Sequence, residues 1–180
     1  MNVFYLDKQA GRCATLHCDK HVVKMIIEYA QLLSTAHRVL DGEQYEGRTA
    51  NNRRIKRWRM EDELMENTLY KASHINHPSA IWTRSSIGNY QYLLDLWRQL
   101  SFEYTYRYGK VHMTDEKLRD LLNQLPKNIK LGEWSQPPQC MPDDVKVEND
   151  SLSAYHKYYA VYKKDFAKWT NRPVPNFMSA

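Results

Sequence analysis

A row of polar side chains recurs every three or four residues between positions 17 and 37. The row consists of His17, His21, Lys24, Glu28, Gln31 and Thr35. In a helix this spacing places them on one face, and the apolar residues between them would bury the opposite face. A carboxylate among basic and polar groups can serve as an acid, a base or a charge stabiliser. This face is therefore either an active site or the solvated side of a surface helix.

The element that carries this face is predicted to be the first of several helices. Hydrophobic periodicity and end signals predict a helix at about 14–40, after a short extended segment at 2–6. The polar, Gly-containing stretch 41–52 is predicted to be a loop. Residues 53–71 have helix-forming composition and are predicted to form the next helix.

The second half of the chain is predicted to continue this helical pattern. A turn at 73–78 places Pro78 in the first turn of a new helix. A long central helix follows at about 86–108 and ends at Gly109, and a short one capped by Thr114 ends before Pro126. Ser151 or Ser153 is predicted to cap a last helix that runs to about Trp169. The sequence thus predicts an all-α fold, a compact single-domain bundle of about five helices, with a long Pro-rich ordered loop at 126–150 wrapping the core and an extended tail at 170–180.

Composition narrows the class of protein and of partner. The 180 residues contain 26 Lys plus Arg against 21 Asp plus Glu, a net charge of +5, which mildly favours an acidic partner such as nucleic acid. Neither a long apolar run nor a secretory leader is present, so a cytoplasmic protein without membrane contact is expected. Cys13, Cys18 and Cys140 are expected to be free thiols.

Basic residues cluster around Trp58 at the start of the predicted helix 53–71. The cluster consists of Arg53, Arg54, Lys56, Arg57 and Arg59. Positive charge in a first helical turn opposes the helix macrodipole, so a bound phosphate would relieve it. Pairing with the acidic residues that follow at three- and four-residue spacing is the alternative.

Near the end of the chain, Tyr155, Tyr158 and Tyr159 alternate with Lys157. Interleaved aromatic and basic groups can stack on bases while following the phosphate backbone. At helical spacing, at least two of the four tyrosines between 155 and 162 are expected to face the core instead. Both roles are compatible on different faces of one helix.

These features together resemble the pyrimidine-dimer DNA glycosylases of phages, the endonuclease V type of repair enzyme. The likeness is carried by Asp19-x-His21 with Glu28 seven residues later, by the long central helix, and by Tyr155-x-Lys157-Tyr158-Tyr159. The resemblance implies a compact all-helical fold, binding to the DNA backbone, extrusion of a nucleotide and cleavage of its glycosidic bond, often followed by strand scission through a Schiff base. We expect double-stranded DNA as the partner of a monomeric protein, with no cofactor and no metal. The resemblance also implies that Glu28 is the catalytic carboxylate and His21 its companion.

Two departures from that family bear on the chemistry. The family's nucleophile is the α-amine of a small residue that follows the initiator Met, whereas Asn2 is bulky enough to leave Met1 in place, so the amine is missing or belongs to Met1. Ile27 and Gln31 stand where the family has arginines. We therefore expect Glu28 to activate water, with weak or absent strand scission through a Schiff base. Lys24 is the second candidate amine, although at one turn from Glu28 it is more simply an ion-pair partner.

A pocket for the extruded nucleotide is expected around this face. Its predicted lining consists of His17, Gln31, His74, Asn76, His77, Trp82 and Arg84, with Trp82 and Arg84 walling the flipped base. Two other functions stay open. One is a non-enzymatic nucleic-acid-binding module that uses the basic cluster and the tyrosine-lysine helix. The other is a metal-dependent hydrolase built from His17, His21, His74 and His77 with nearby cysteines.

Overall fold

A computed structural model of the chain describes residues 1–179, which are mostly helical, as predicted. Within this range there are seven α-helices, two short 3₁₀ turns and one two-stranded sheet. The helices are α1 (Ala10–Leu16), α2 (Asp19–Asp41), α3 (Glu63–Thr68), α4 (Pro78–Ser85), α5 (Ile87–Tyr108), α6 (Met113–Leu122) and α7 (Ser151–Tyr162), and the strands are β1 (Glu43–Arg48) and β2 (Arg54–Arg59). The predicted count of about five helices was too low, and the sheet was not predicted. No helix in the described range is long and apolar enough to cross a membrane.

The core lies between the two long helices, α2 and α5. Their facing residues are fully buried, among them Tyr29 and Leu33 of α2 and Leu93 and Trp97 of α5. The indole Nε1 of Trp97 donates to the carbonyl oxygen of Ile26 at 3.0 Å, which locks the two helices in register. Burial of large aromatic and aliphatic side chains at these positions is the main stabilisation of the pair.

The predicted central helix is confirmed with its C-terminal end. α5 ends at Gly109, whose φ of 66° is the left-handed conformation that glycine adopts without strain. Its amide donates to the carbonyl of Thr105. This is a common way to end a helix, and it is readable from the sequence.

The predicted first helix is divided into α1 and α2, with a break at His17 and Cys18. Arg107 of α5 is buried there, and its guanidinium donates to the carbonyl oxygens of Thr15 and His17 and to the carboxylate of Asp19, each at 2.9 Å. Because Arg107 donates hydrogen bonds to these carbonyl oxygens, they do not need the amide donors that a further helical turn would supply. The break is therefore produced by a residue distant in sequence.

The predicted loop at 41–52 and helix at 53–71 are wrong. The segment forms an antiparallel hairpin in which β1 pairs with β2 from Glu43 opposite Arg59 to Arg48 opposite Arg54. The turn uses Asn52 at a positive φ of 58°, a conformation that Asn tolerates. Only residues 63–68 of the predicted helix are helical. The Asn-Asn turn and the β-branched and aromatic residues of β2 were the signals that favoured a hairpin.

The loop at 126–150 is ordered and wraps α4 and α5, as predicted. It contains one 3₁₀ turn, at Asp143–Val145. The indole of Trp82 donates to the Ser135 carbonyl at 3.1 Å. At Gly88 the loop backbone approaches so closely that a Cβ would collide with Glu133 and Trp134. Glycine is therefore required at this contact between loop and helix.

Helix ends in the last third differ from the prediction. The cap of α6 is His112 and not Thr114, and the cap of α7 is Asp150 and not Ser151 or Ser153. α7 ends at Tyr162 instead of Trp169. The chain turns earlier because Trp169 is buried and donates to the carbonyl of Leu16 at 2.9 Å. The tail from 170 to 179 includes a second 3₁₀ turn at Asn176–Met178, and Ala180 lies outside the described residues.

Candidate functional site

Glu28 lies on the solvent side of α2 and keeps part of its carboxylate accessible. Its side chain is 23% exposed, and Lys24 Nζ lies 3.1 Å from its Oε1. The predicted i,i+4 ion pair is therefore present. Lys24 itself is 68% exposed, so the pair contributes little to stability. A carboxylate that is half-shielded and paired with one mobile cation can be turned toward a ligand at low cost.

The first turn of α4 holds the chain's N-terminus. Ser79 is buried, and its Oγ donates to the carbonyl oxygen of Met1 at 3.0 Å. His77 caps the same helix, since its Nδ1 accepts from the Ser79 amide at 3.1 Å. Pro78 occupies the first helical position, where its missing N–H is not needed. Met1 and His77 are thus tied to one residue, and Asn2 is half-buried beside them.

Electrostatics connect Glu28 with this turn. Burial lowers the pKa of His77, and the positive charges of the N-terminus and of His74 lower it further, while the carboxylate of Glu28 acts in the opposite direction. The four groups therefore share one electrostatic site. Because Nδ1 of His77 accepts a hydrogen bond, the neutral ring carries its proton on Nε2. Within residues 1–179 that N–H has no hydrogen-bond acceptor, so it is a donor of the kind that can bond to a leaving group.

The turn between His74 and His77 contributes residues to two grooves. One, of about 540 Å³, is lined by His77, Tyr158 and the 138–142 segment of the long loop, including Cys140. The other, of about 320 Å³, lies between β2 and the chain at 72–75, and includes Arg54, Lys56 and His74. His74 and Asn76 are exposed. The predicted pocket residues of this turn therefore lie at the surface, between a loop-walled groove and a cationic one.

His17 and His21 are core residues and not members of a pocket. His17 is fully buried: its Nδ1 lies 2.7 Å from the Cys13 carbonyl and its Nε2 2.9 Å from the Tyr29 hydroxyl, which accepts from the Phe4 amide. His21 stacks on Phe4 and pairs with the Tyr159 hydroxyl at 2.5 Å. Its predicted role as a companion of Glu28 has no contact in the structure to support it. Both histidines instead hold the N-terminal segment against the helices.

His17 makes the stability of the fold sensitive to mild acid. Burial lowers its pKa from 6.5 to about 4, so between these values the unfolded chain binds a proton that the folded chain excludes. Stability should therefore decrease by about 1–2 kcal/mol as the pH falls from 7 to 5. Urea titrations at both pH values measure this decrease. Burial also lowers the pKa of His37 to about 4 and of His21 to about 3, so these two residues add to the same loss. His17→Gln should therefore remove about a third of the total decrease, and His74→Gln, at an exposed position, should preserve it; equal slopes in all three proteins would contradict this account.

Of three more predicted pocket residues, two bind the fold together instead. Gln31 Nε2 donates to the Lys71 carbonyl at 2.7 Å and so joins α2 to the chain after α3. Trp82 is buried, with its indole on the long loop. Arg84 is half-buried on α4, and burial lowers its pKa. Since Trp82 already packs inside, it does not wall a flipped base.

The tyrosine-lysine motif divides between core and surface. Tyr155 and Tyr159 are fully buried, and the Tyr155 hydroxyl donates to the Pro138 carbonyl at 2.8 Å. The expectation that at least two of these tyrosines face the core is confirmed, and the two are excluded as DNA contacts. Lys157 is exposed, and Tyr158 is half-buried with Lys163 Nζ 4.3 Å from its ring centre. Only Tyr158 and the lysines can meet a ligand.

The basic cluster lies on the hairpin and not at a helix N-terminus, so the macrodipole argument for phosphate does not apply. Arg53, Arg54, Lys56 and Arg59 are exposed, and Arg57 is half-buried. Trp58 alone faces the core. The cluster therefore forms a positively charged surface on the hairpin, beside the groove of about 320 Å³.

The histidines required by a metal-dependent hydrolase do not come together. His17 and His21 are committed to buried hydroxyl and carbonyl partners, whereas His74 and His77 lie at the surface turn. Across residues 1–179, no three His, Cys, Asp or Glu side chains are placed to share a metal ion. The geometry gives this alternative no support.

The sequence did not reveal two residues of the site. Ser79 anchors Met1, and the only signal for it was its position in the first turn after Pro78. Cys140 lines the groove, with its Sγ 3.6 Å from the Ser79 hydroxyl; its position in a Pro-rich loop gives no sign of this contact. Both depend on the path of the long loop.

Comparisons of the chain with protein-family models, curated proteins and solved structures find no match in any of the three. What the chain does is therefore inferred from its residues and their arrangement.

Proposed function

We propose that the chain is a DNA glycosylase that releases a damaged or modified pyrimidine, with Glu28 as its catalytic carboxylate. The observation that carries this proposal is that Ser79 holds both the Met1 carbonyl and the His77 ring at the head of α4, where the charges of the N-terminus and of Glu28 act on His77. The turn that joins them lies between one groove with cationic walls and another of nucleotide size. A carboxylate, a donor and cations at one exposed turn are the groups that glycosidic cleavage in DNA requires.

The chemistry assigns a separate task to each group. Loss of a base leaves positive charge on the sugar, which a nearby carboxylate stabilises, and the same carboxylate can activate the attacking water. The departing pyrimidine carries negative charge, for which the Nε2–H of His77 is a suitable donor. The exposed Lys24 would hold a neighbouring phosphate once its partner Glu28 turns to the sugar.

The groove of about 540 Å³ is the proposed seat of the extruded nucleotide. Its volume falls in the range of small-ligand sites, and its wall includes the ring of Tyr158, on which a base can stack. The remaining wall comes from the long loop at 138–142. Because duplex stacking hides the glycosidic bond, the nucleotide must leave the stack, and damage that weakens stacking lowers the cost by a few kcal/mol.

Base release should exceed strand scission, and any covalent adduct should form at Met1. Lys24 Nζ is held in an ion pair with Glu28, whereas the Met1 backbone is held beside His77 by Ser79. Incubation with abasic DNA and borohydride, followed by peptide mapping, locates a trapped amine. Lys24→Met should leave the small adduct yield unchanged. Mapping of the adduct to Lys24 would contradict this assignment.

The test of the proposal is base release from duplexes that contain a thymine dimer or another modified pyrimidine. Released base without a borohydride-trapped adduct supports water activated by Glu28, and release with an adduct supports an amine nucleophile. The second candidate, a DNA-binding module without chemistry, is favoured by the cationic hairpin. It predicts binding and no release from any pyrimidine lesion, with no effect of changing Glu28.

A further inference from the structure

The hairpin of β1 and β2 projects from the helical body as a ribbon. Its base is fixed: Trp58 is buried, and its carbonyl oxygen accepts from the buried Arg38 at 3.0 Å. At Gly42 a Cβ would lie 2.6 Å from the Arg38 carbonyl, so the chain enters β1 in close contact with α2. Beyond this base, β1 is exposed on both faces from Glu43 to Glu46. A two-stranded ribbon that is solvated on both faces buries little apolar area. The hairpin therefore gains little stability from its own packing, and that packing gives no reason for six-residue strands.

Charge on the ribbon is distributed unevenly. The acidic residues Glu43 and Glu46 lie toward the base, whereas Arg48, Arg53 and Arg54 form the exposed tip. Arg48 and Arg54 face each other across the strands, and like charges in directly opposed positions are destabilising. Within residues 1–179, no basic side chain of the hairpin takes part in an ion pair. The tip therefore holds positive charge that the free protein does not neutralise.

The ribbon also has dimensions that suit one kind of partner. Each strand has six residues, a length of about 20 Å. The major groove of B-DNA is about 12 Å wide and admits a two-stranded ribbon, while the deep, narrow major groove of A-form RNA does not. On its inner side, β2 shares the 320 Å³ groove with His74 and Ile75, so a duplex held by the tip would pass close to the turn that these residues begin.

We propose that the hairpin 43–59 is a DNA-binding arm whose arginine tip enters the major groove beside the target nucleotide. This inference rests on the proposed function in taking duplex DNA as the substrate. Arg48, Arg53 and Arg54 contact phosphates and base edges there, and the duplex supplies the negative charge that relieves their mutual repulsion. The arm holds the duplex in place while the groove at His77 receives the extruded nucleotide.

The test replaces Arg48, Arg53 and Arg54 together with Gln and measures DNA affinity over a series of salt concentrations. Loss of about one phosphate contact per arginine should reduce the slope of log K against log salt by about 3. The stability of the free protein should stay close to that of the wild type, because the loss of repulsion between the facing arginines offsets the loss of the two hydrogen bonds that Arg48 donates to Asn52. A matched control, with Gln at the exposed Lys8, Lys110 and Lys130, makes the same change in net charge and should keep the slope within about 1.

Groove entry is read separately with dimethyl sulfate, which modifies guanine N7 in the major groove. The wild type should protect guanines next to the lesion, the triple variant should lose that protection, and binding to an RNA duplex of the same sequence should be little affected by the change. The proposed DNA-binding role of the hairpin would be wrong if the salt slope did not change or if guanine N7 atoms were not protected. It would also be wrong if affinity for the RNA duplex fell as much as affinity for DNA. Failure of the glycosylase proposal would give a different result. The protein would then bind DNA in a way that depends on the hairpin, but it would release no base.

Discussion

Glu28→Gln should abolish base release while leaving DNA affinity nearly intact. The amide keeps the shape of the side chain and removes the charge that stabilises the sugar cation and activates water, so single-turnover release should fall by about 10²–10⁴-fold. The fold should be unaffected, because the lost ion pair with the exposed Lys24 contributes only about 0.3–0.5 kcal/mol. Fluorescence anisotropy with the lesion duplex should give a Kd within about threefold of the wild type.

Lys24→Met is the matched control for this variant. It breaks the same ion pair but leaves the carboxylate in place, so most base release should survive. If affinity and rate fell together in Glu28→Gln, Glu28 would have a binding role instead of a catalytic one. If neither changed, the non-enzymatic reading with its cationic hairpin would be preferred.

Arg38→Met should cost about 3–5 kcal/mol of unfolding free energy, a large part of the stability of a domain of this size. Arg38 is fully buried and donates through all three guanidinium nitrogens, to Glu66 and to the carbonyl oxygens of Trp58, Leu69 and Tyr70. Methionine fills the volume but leaves these acceptors without donors in a dry environment. Urea denaturation monitored by tryptophan fluorescence measures the loss.

Lys71→Met provides the comparison, because Lys71 Nζ also pairs with Glu66, at 2.7 Å, but is 58% exposed. Its loss should cost about 0–1 kcal/mol. Should Arg38→Met prove too unstable to purify, Arg38→Lys keeps the charge with fewer donors and should fall between the two. A cost below about 1 kcal/mol for Arg38→Met would show that the network around it is dispensable.

The same network predicts how the protein responds to strong acid. Burial alone would raise the pKa of Glu66, but hydrogen bonds from Lys71, the Met60 amide and Arg38, together with the Arg38 charge, lower it to about 2. Its stabilising contribution is therefore complete above its usual pKa of 4.5 and is lost as the pH falls toward 2. The buried histidines His17, His21 and His37 cause their decrease between pH 6.5 and about 3, so only the lowest part of an acid titration reports Glu66 alone.

Several elements could be predicted because their signals are local. The periodicity of α5 with Gly109 after it, the turn that sets Pro78 at the head of α4, and the Lys24–Glu28 pair depend only on residues within a few positions of each other. Helical hydrogen bonds, caps and i,i+4 contacts act over that range. The Pro-rich loop was recognisable for the same reason, since proline removes backbone donors wherever it stands.

The hairpin shows where local reasoning failed. Residues 53–59 have a composition that fits a helix, and they become a strand because Trp58 is buried against the body and its carbonyl is bonded to Arg38. Propensity is a weak prior that such a contact overrides. The break before α2 has the same origin, in Arg107 of α5.

The sequence by itself determined the helical character of the protein, the position of Glu28 on a polar face and the excess of basic residues. Tertiary structure alone decided which polar residues are functional, because burial and distance depend on contacts between remote segments. It placed His17, His21, Tyr155 and Tyr159 in the core, and it brought Met1 to Ser79 and His77 across more than seventy residues. Helix periodicity places side chains on a face, but only the packing of other elements determines whether that face meets solvent, a ligand or the core.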